Sequence, residues 1–262
     1  MQHQVKAKKH LGQHFLNDMA IAKQIVDALL EKDKTTPIIE VGPGTGVLTQ
    51  YLINEVENFV ALDVDKESIE FLKNAYPIKK EKIIEADFLN TDIEKLVGKK
   101  FNVIGNFPYN ISSQIMFKVL EHKHDVNIVV GMFQKEVAER LAEKPGSRTY
   151  GILSVFLQAF YTIEYLFTVN ENVFTPPPKV KSAVIRIIRN ERQHLNCDEK
   201  LFFRVVKTCF NQRRKMIRNS IMPLLENREL IHPFYEKRPE QLSVEQFEEL
   251  TLFVEKNMTA KN

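Results

Sequence analysis

The chain has 262 residues, of which 44% are hydrophobic, and a net charge of +3. This length and composition allow one large folded domain together with a small second one. No run of 18 apolar residues and no signal-peptide core occurs, which argues against a membrane or secreted protein, so we expect a cytoplasmic one. Cys197 and Cys209 have no metal-type spacing, and we expect reduced thiols rather than a disulfide framework or zinc site.

Basic residues are concentrated in two stretches that lack carboxylates. Residues 1–17 hold three lysines and three histidines, and residues 201–225 hold six lysines or arginines. In a chain with 34 acidic residues, this distribution favours a surface that faces a polyanion such as nucleic acid. Basic helix faces that meet only solvent are the alternative.

Apolar runs and helical patterns alternate along the first two thirds of the chain. Asn17 or Asp18 can cap a first helix, which extends to about Leu29. Strands are predicted at residues 38–41, 59–62, 82–85, 101–104, 127–133, 161–169 and 182–188. Such alternation predicts an α/β fold with a Rossmann-like, doubly wound sheet of mostly parallel strands.

A change in composition near residue 190 predicts a domain boundary, which gives a sheet domain at 1–190 and a small all-helical domain at 191–262. Apolar residues at helical intervals from Phe203 to Ile221 predict one helix with a basic face. That helix ends or bends at Pro223. Ser243 and Gln246 form a capping-box pattern that predicts a final helix.

The most distinctive short segment runs from Ile38 to Gly46, where an apolar strand breaks into three glycines at alternate positions. Glycine accepts positive φ and lets a ligand approach the backbone. Val47 and Leu48 then predict a helix whose first amides face the same ligand. An ordinary glycine-containing hairpin or loop is the alternative.

Polar residues follow the predicted strands at the edge where ligands bind in such folds. The Gly42 turn, Asp63, Asp87 and Asn106 should therefore share one rim. A dinucleotide site requires G-x-G-x-x-G, whereas here the third glycine comes one place early. Asp63 can accept hydrogen bonds from the ribose hydroxyls of either a dinucleotide or S-adenosylmethionine. Asp87 adds a carboxylate that suits an adenine amine, and this favours S-adenosylmethionine. Each aspartate can alternatively cap the following helix.

The segment Asn106-Phe107-Pro108-Tyr109 resembles the Asn-Leu-Pro-Tyr and Asn-Pro-Pro-Tyr signatures of methyltransferases that act on exocyclic amines. The side-chain oxygen of Asn106 and the carbonyl of Pro108 can accept both amine hydrogens and aim the lone pair. Tyr109 can stack on the base, and Pro108 stiffens the turn. The alternative is an ordinary turn at the end of a strand.

Over nearly its whole length the chain resembles the KsgA/RsmA (Dim-type) ribosomal RNA adenine dimethyltransferases. The matching stretches are residues 11–16 (LGQHFL), 40–46 (EVGPGTG), 106–112 (NFPYNIS), 134–137 (QKEV), 174–180 (FTPPPKV) and 213–215 (RRK). The resemblance implies S-adenosylmethionine-dependent dimethylation of two adjacent adenosines near the 3′ end of small-subunit (16S) ribosomal RNA. It also implies a monomer that acts on a pre-30S particle and contributes to its biogenesis.

The same resemblance implies roles for individual residues, with no metal site. The cofactor-binding set is Gln13, His14, Leu16, Gly42, Asp63, Val64, Asp87, Phe88 and Asn106. The catalytic set is Asn106, Pro108 and Tyr109, and the RNA-binding set is Phe174, Arg213, Arg214 and Lys215. The chain departs from the commonest pattern at His14 (often Asn), Asp63 (often Glu) and Phe107 (often Leu). Asp63 has a shorter side chain than Glu with which to reach the ribose, and His14 can contact the cofactor through its backbone instead of its ring.

Three other functions are consistent with parts of the sequence. An Erm-type methyltransferase of large-subunit RNA would share the catalytic turn, although residues 174–180 and 213–215 favour the small-subunit family. A non-catalytic RNA-binding assembly factor would not need the intact turn from Asn106 to Tyr109. An NAD-dependent enzyme would bind a nicotinamide cofactor in place of S-adenosylmethionine.

Overall fold

The computed structural model describes residues 5–258. Its strands are β1 (Phe15–Leu16), β2 (Ile38–Val41), β3 (Phe59–Asp63), β4 (Ile83–Glu85), β5 (Phe101–Asn106), β6 (Val126–Gln134), β7 (Tyr161–Val169), β8 (Phe174–Thr175) and β9 (Ser182–Arg189). Its helices are α1 (Met19–Leu30), α2 (Thr49–Leu52), α3 (Lys66–Ala75), α4 (Ile93–Val97), α5 (Ser112–Glu121), α6 (Lys135–Ala142), α7 (Ile152–Gln158), α8 (Glu199–Asn211), α9 (Ile217–Ile221) and α10 (Val244–Asn257). Within residues 5–258, none of these helices combines the length and apolar content that a membrane crossing requires.

A seven-stranded sheet has the order β4-β3-β2-β5-β6-β9-β7. The pairs β3–β4, β2–β3, β2–β5 and β5–β6 are parallel, whereas β6 and β9 are antiparallel. All four residues of β2 are buried, as expected for a parallel strand covered on both faces. The predicted α/β class and the mostly parallel sheet are confirmed.

A second, two-stranded sheet joins the N-terminal arm, defined here as residues 5–17, to the segment before β9. In this sheet β1 pairs antiparallel with β8, with Phe15 opposite Thr175 and Leu16 opposite Phe174. The amide of Asn17 continues the pairing by donating to the carbonyl of Val173 at 2.8 Å. The sequence patterns did not predict this pairing.

Helix α1 begins where the sequence indicated. The carboxylate of Asp18 accepts hydrogen bonds from the amides of Ala20 and Ile21, so Asp18 is the N-cap. One face of the helix carries Ile25 and Leu29, which are fully buried in the hydrophobic core. The capped helix therefore fixes the end of the N-terminal arm against the core.

The chain divides into two compact units. Among the described residues, the first comprises those up to Ala138 and Thr162–Arg189, and the second comprises Glu139–Tyr161 and those from Asn190 onward. This division differs from a boundary at residue 190, because the segment with α7 packs within the second unit. The ring of Phe156 on α7 contacts Phe203 on α8 edge to face, with centroids 4.3 Å apart. The functional division at 190 stays a prediction.

The predicted long helix from Phe203 to Ile221 is wrong, because residues 212–216 form a turn between α8 and α9. Residues 211–215 are all polar and offer no apolar side chain to bury. The amides that begin α9 donate outside the helix instead, from Ile217 to the carbonyl of Lys237 at 2.8 Å and from Arg218 to that of Tyr235 at 3.3 Å. The Ser243 capping box of α10 is present as predicted.

Candidate active site

A cavity of about 400 Å³ lies at the carboxyl ends of the parallel strands. Turns after β2, β3, β4 and β5 form its walls, together with part of the N-terminal arm. Its lining residues are Leu11, Gly12, Gln13, His14, Phe15, Gly42, Gly44, Asp63, Val64, Asp87, Leu89, Asn90, Asn106, Phe107, Pro108, Tyr109, Asn110, Ile111 and Gln114. The structure thus brings the four rim positions predicted from the sequence to one cavity.

The glycine turn after β2 requires its glycines for two reasons. Gly42, Gly44 and Gly46 all have positive φ, at 71°, 56° and 84°, which side chains rarely tolerate. A Cβ on Gly44 would also lie 2.8 Å from Cε1 of Phe15. The helix expected at Val47 and Leu48 begins two residues later and is short, since only Thr49–Leu52 is α-helical. The amide of Gly44 instead donates to the carboxylate of Asp63 at 3.2 Å.

Asp63 and Asp87 are the two predicted cofactor carboxylates, and both already accept hydrogen bonds from their surroundings. Asp63 accepts from the amides of Gly44 and Asp65, and burial raises its pKa. Asp87 accepts from the amide of Leu89 at 2.9 Å and from the side chain of Asn90 at 2.6 Å. A carboxylate has about four acceptor positions, so these bonds do not exhaust either group.

The N-terminal arm is tied to the loop after β3 by a polar cluster that sequence patterns missed. Lys8 Nζ lies 2.5 Å from Oδ1 of Asp65, and Gln13 Nε2 donates to its Oδ2 at 3.0 Å. The amide of Lys8 also donates to Oε1 of Gln13 at 2.8 Å. Burial alone would raise the pKa of Asp65, but the bonds from Gln13 and Lys8 hold it below its usual value. Lys8 and Asp65 are 57 positions apart, so no local sequence pattern signalled this cluster.

The turn from Asn106 to Tyr109, which follows β5 and was predicted to be catalytic, is held by hydrogen bonds on both sides. The side-chain amide of Asn106 donates through Nδ2 to the backbone carbonyl of His14 at 2.8 Å. The hydroxyls of Tyr109 and Ser182 are 2.5 Å apart, and the amide of Ile111 donates to the carbonyl of Pro108 at 3.2 Å. Burial raises the pKa of Tyr109, so its phenol stays neutral at physiological pH. Asn106 and Tyr109 are therefore fixed in position by neighbouring groups.

Phe107, which replaces the more frequent Leu, packs beneath this turn. Its ring is 1% exposed and meets Phe133 edge to face, with centroids 5.2 Å apart. Gly105 and Gly131 are opposite each other on β5 and β6. A Cβ on either would come within 2.7 Å of the Phe107 ring. The two glycines thus create the space that the larger ring fills.

Apart from the basic residues of the second unit, three predicted site residues do not line this cavity. Leu16, Phe88 and Phe174 are all buried, with exposures of 2%, 4% and 3%. Leu16 and Phe174 belong to the hydrophobic core of the first unit and face each other across the β1–β8 pair. Phe174, which the family resemblance places in the RNA-binding set, thus has a core position in this structure. Its role in RNA binding stays a prediction.

The three basic residues of the second unit differ in their surroundings. Arg213 donates a guanidinium hydrogen bond to the carbonyl of Arg148. The loop that contains Arg148 is also held by a hydrogen bond from the amide of Gly146 to the carbonyl of Glu240 at 2.6 Å. The side chains of Arg214 and Lys215 are exposed. All three lie in the turn between α8 and α9, so they do not belong to the basic helix face that the sequence predicted.

The cavity fits a nucleoside-bearing cofactor. Its volume lies within the range of ~300–1,000 Å³ that is typical of small-ligand sites. A Cβ at Gly42 would fill space beside the Pro108 ring, 3.5 Å away. Two carboxylates can accept from hydroxyl or amine groups, and Val64, which is 51% exposed, offers an apolar surface. Together with the strand order, these features define a Rossmann-like methyltransferase of the S-adenosylmethionine-dependent class.

Comparison with known proteins identifies the family. The family model for ribosomal RNA adenine dimethylase matches residues 4–261. Ribosomal RNA small subunit methyltransferase A of Parabacteroides distasonis is 57% identical over 256 residues, which cover 97% of this chain and 96% of the relative. The protein of the same name from Cytophaga hutchinsonii is 57% identical over 249 residues, with 94% and 96% covered. The chain belongs to the ribosomal RNA adenine dimethylase family.

Solved structures agree with this assignment of fold. A dimethyladenosine transferase from Plasmodium falciparum superposes with a TM-score of 0.76 at 25% identity, covering 92% of this chain and 97% of that one. The 23S rRNA methyltransferase ErmE gives a TM-score of 0.67 at 24% identity, with 90% and 98% covered. At 24% identity, the similarity to ErmE supports the fold and nothing further.

Proposed function

We propose that the chain transfers methyl groups from S-adenosylmethionine to the exocyclic amines of adenines in small-subunit ribosomal RNA, giving N(6)-dimethyladenosines. The observation that carries this proposal is the position of the Asn106–Tyr109 turn at a cavity whose other walls suit a nucleoside. Relatives that are 57% identical carry the name of small-subunit methyltransferases, which favours that substrate over large-subunit RNA. The finer targets proposed are two adjacent adenosines near the 3′ end, within a pre-30S particle, modified by a monomer.

In this proposal the cofactor is held by the rim residues after three strands. Because Gly42 has no side chain, the cofactor can approach the backbone there. Asp63 accepts hydrogen bonds from the ribose hydroxyls. Val64 packs against the adenine, and Asp87 accepts from the adenine amine. The bound cofactor supplies an electrophilic methyl group whose transfer leaves a neutral thioether. The residues of the chain then have to orient the target amine rather than generate a strong base.

Asn106 and Pro108 provide that orientation. An adenine amine is a poor nucleophile because its lone pair is delocalised into the ring. Since Nδ2 of Asn106 is engaged by the carbonyl of His14, its Oδ1 is left to accept one amine hydrogen. The carbonyl of Pro108 already accepts from Ile111, and its second lone pair can accept the other hydrogen. In the first transfer, fixing both hydrogens directs the nitrogen lone pair toward the methyl donor. The methylated amine then loses a proton, which leaves one hydrogen on the nitrogen for the second transfer.

Tyr109 in the first unit and two exposed basic residues in the second unit are further proposed RNA contacts. The ring of Tyr109, held through its hydroxyl by Ser182, stacks on the target base. Arg214 and Lys215 are exposed and can contact phosphates. Phe174 is retained as a proposed RNA contact on the family resemblance alone.

The test is methyl transfer from labelled cofactor to under-methylated small and large ribosomal subunits. We expect label in small-subunit RNA at two neighbouring adenosines, two methyl groups on each. Label found only in the large subunit would refute the substrate assignment and support the Erm-type alternative. Calorimetric titration with S-adenosylmethionine and with a nicotinamide cofactor separates the methyltransferase from an NAD-dependent enzyme.

Catalysis and RNA binding are separated with one variant. Asn106→Ala removes the acceptor for the amine, so it should reduce transfer by at least 10²-fold, as loss of one aligned polar group typically does. Subunit binding should change little. Asn74→Ala, at an exposed position of α3, is the matched control. Wild-type protein that binds subunits but transfers no methyl group would support a non-catalytic assembly factor.

A further inference from the structure

We propose that the side chain of His14 is a positioning residue of the target-adenine site, which holds the ring of Tyr109 against the segment that follows β8. Its function in catalysis rests on the proposed methyl transfer, whereas the contact itself does not. The family resemblance assigns position 14 to cofactor binding. The geometry assigns its imidazole to the substrate side instead.

The imidazole makes two contacts that point away from a cofactor role. Nδ1 lies 2.7 Å from the backbone carbonyl of Pro176, and because a carbonyl only accepts, Nδ1 carries the hydrogen and donates it. The ring stacks on that of Tyr109, with centroids 5.3 Å apart and an angle of 29° between the planes. One side chain therefore bridges the catalytic turn and the Thr-Pro-Pro-Pro segment.

Tyr109 is consequently held at two places. Its hydroxyl is hydrogen-bonded to the hydroxyl of Ser182 at the start of β9. Its ring is stacked on the imidazole of His14. An aromatic ring fixed at both its edge and its face has little freedom to tilt. A Tyr109 ring with a fixed tilt presents a defined surface for stacking by an adenine.

The backbone explains why residue 14, rather than another arm residue, has this position. Phe15 pairs with Thr175, so the chain direction brings the preceding residue, His14, alongside Pro176. The side chain of Asn17 adds a bond to the hydroxyl of Thr175 at 2.7 Å. The carbonyl of His14 meanwhile accepts from Asn106. The same residue thus contacts both the amine-orienting group and the base-stacking group, one through its backbone and one through its ring.

Three substitutions separate the components of this role. His14→Asn retains a side-chain donor that can reach Pro176 but loses the ring. His14→Phe retains a ring for Tyr109 but loses the donor, and His14→Ala loses both. The backbone carbonyl that holds Asn106 is present in all three. His10→Ala, at an exposed position of the same arm, is the matched control.

Steady-state methylation of under-methylated small subunits gives the functional readout. We expect His14→Ala to lower kcat by about tenfold, the upper range for one aromatic pair, with smaller losses for His14→Asn and His14→Phe. The Kd for S-adenosylmethionine, measured by calorimetry, should change by less than about twofold. A large loss of cofactor affinity with kcat unchanged at saturation would overturn the inference, as would unchanged or increased kcat in His14→Ala.

A spectroscopic readout tests the contact without any reaction. Stacking shifts the NMR resonances of the Tyr109 ring, which can be assigned among the seven tyrosines with Tyr109→Phe. His14→Ala should shift those resonances in the free protein, and His10→Ala should not. Unchanged resonances would refute the positioning role even if the protein methylates small subunits. Conversely, shifted resonances in a protein that methylates only large subunits would refute the proposed substrate and leave the contact established.

Discussion

Gly131→Ala tests the packing that supports the proposed catalytic turn from Asn106 to Tyr109. A Cβ at this position would lie 2.2 Å from Cε2 and 2.7 Å from Cδ2 of Phe107, and 2.9 Å from Cε2 of Phe133. Ordinary carbon contacts are about 3.5–4.0 Å, so the nearest atom would have to move by more than 1 Å. Because Phe107 is 1% exposed and β6 lies between two other strands, neither the ring nor the strand has free space. We expect a loss of about 3 kcal/mol in unfolding free energy, near the upper end for overpacked cores.

A double-mutant cycle assigns this loss to the ring. Phe107→Leu should by itself lower stability by about 1–2 kcal/mol through incomplete filling of the space. In that background Gly131→Ala should lower stability by only about 1–2 kcal/mol, because the added methyl group has room beside the leucine. The coupling between the two substitutions should therefore be about 1–2 kcal/mol. The remaining cost reflects the contact with Phe133, which is unchanged.

Urea unfolding followed by far-ultraviolet circular dichroism measures these free energies, since the chain has no tryptophan for fluorescence. Gly151→Ala is the control, because its Cβ would meet nothing closer than 3.8 Å. We also expect Gly131→Ala to lower kcat, since Phe107 is flanked by Asn106 and Pro108. If Gly131→Ala has the same effect beside Phe107 and beside leucine, the steric reasoning is refuted.

The remaining predictions concern pH and salt. Burial raises the pKa of Glu40 from 4.5 to about 8, so the folded chain keeps a proton that the unfolded chain releases. Stability should fall as pH rises from about 5 to 8, by up to about 1.4 kcal/mol per pH unit. Glu40→Gln should flatten this dependence in urea unfolding, and an unchanged dependence would reassign it to other groups. Arg214→Ala and Lys215→Ala should each reduce the slope of log K for subunit binding against log salt by ~0.7. Arg213→Ala should reduce it less and instead increase proteolysis near Arg148, the residue whose carbonyl it holds; equal slopes for all three variants would contradict this distinction.

The strands and the rim of the site were predictable from local sequence for a physical reason. Parallel strands covered on both faces favour apolar runs, and residues 38–41, 59–62 and 101–104 are mostly apolar. The polar residues that end such runs must then meet at one edge of the sheet. Asp63, Asp87 and Asn106 line one cavity as a consequence.

The features that sequence patterns missed depend on contacts between distant segments. The β1–β8 pair has only two residues on each side, which is too short for any periodicity to reveal. Lys8 and Asp65 are 57 positions apart, and neither belongs to a recognisable motif. The break at residues 212–216 follows from amides that donate to residues 235 and 237, so the helical pattern of residues 203–221 was overridden by tertiary hydrogen bonds.

The N-terminal arm links the two halves of the site through consecutive residues. Gln13 donates to Asp65 beside the proposed ribose-binding residue, whereas His14 contacts Tyr109, Pro176 and Asn106 on the substrate side. Because residues 13 and 14 share a peptide bond, a displacement of one moves the other. Two consecutive arm residues thus contact the loop beside Asp63 and the turn from Asn106 to Tyr109, so the arm joins two walls of the cavity in addition to forming part of its lining.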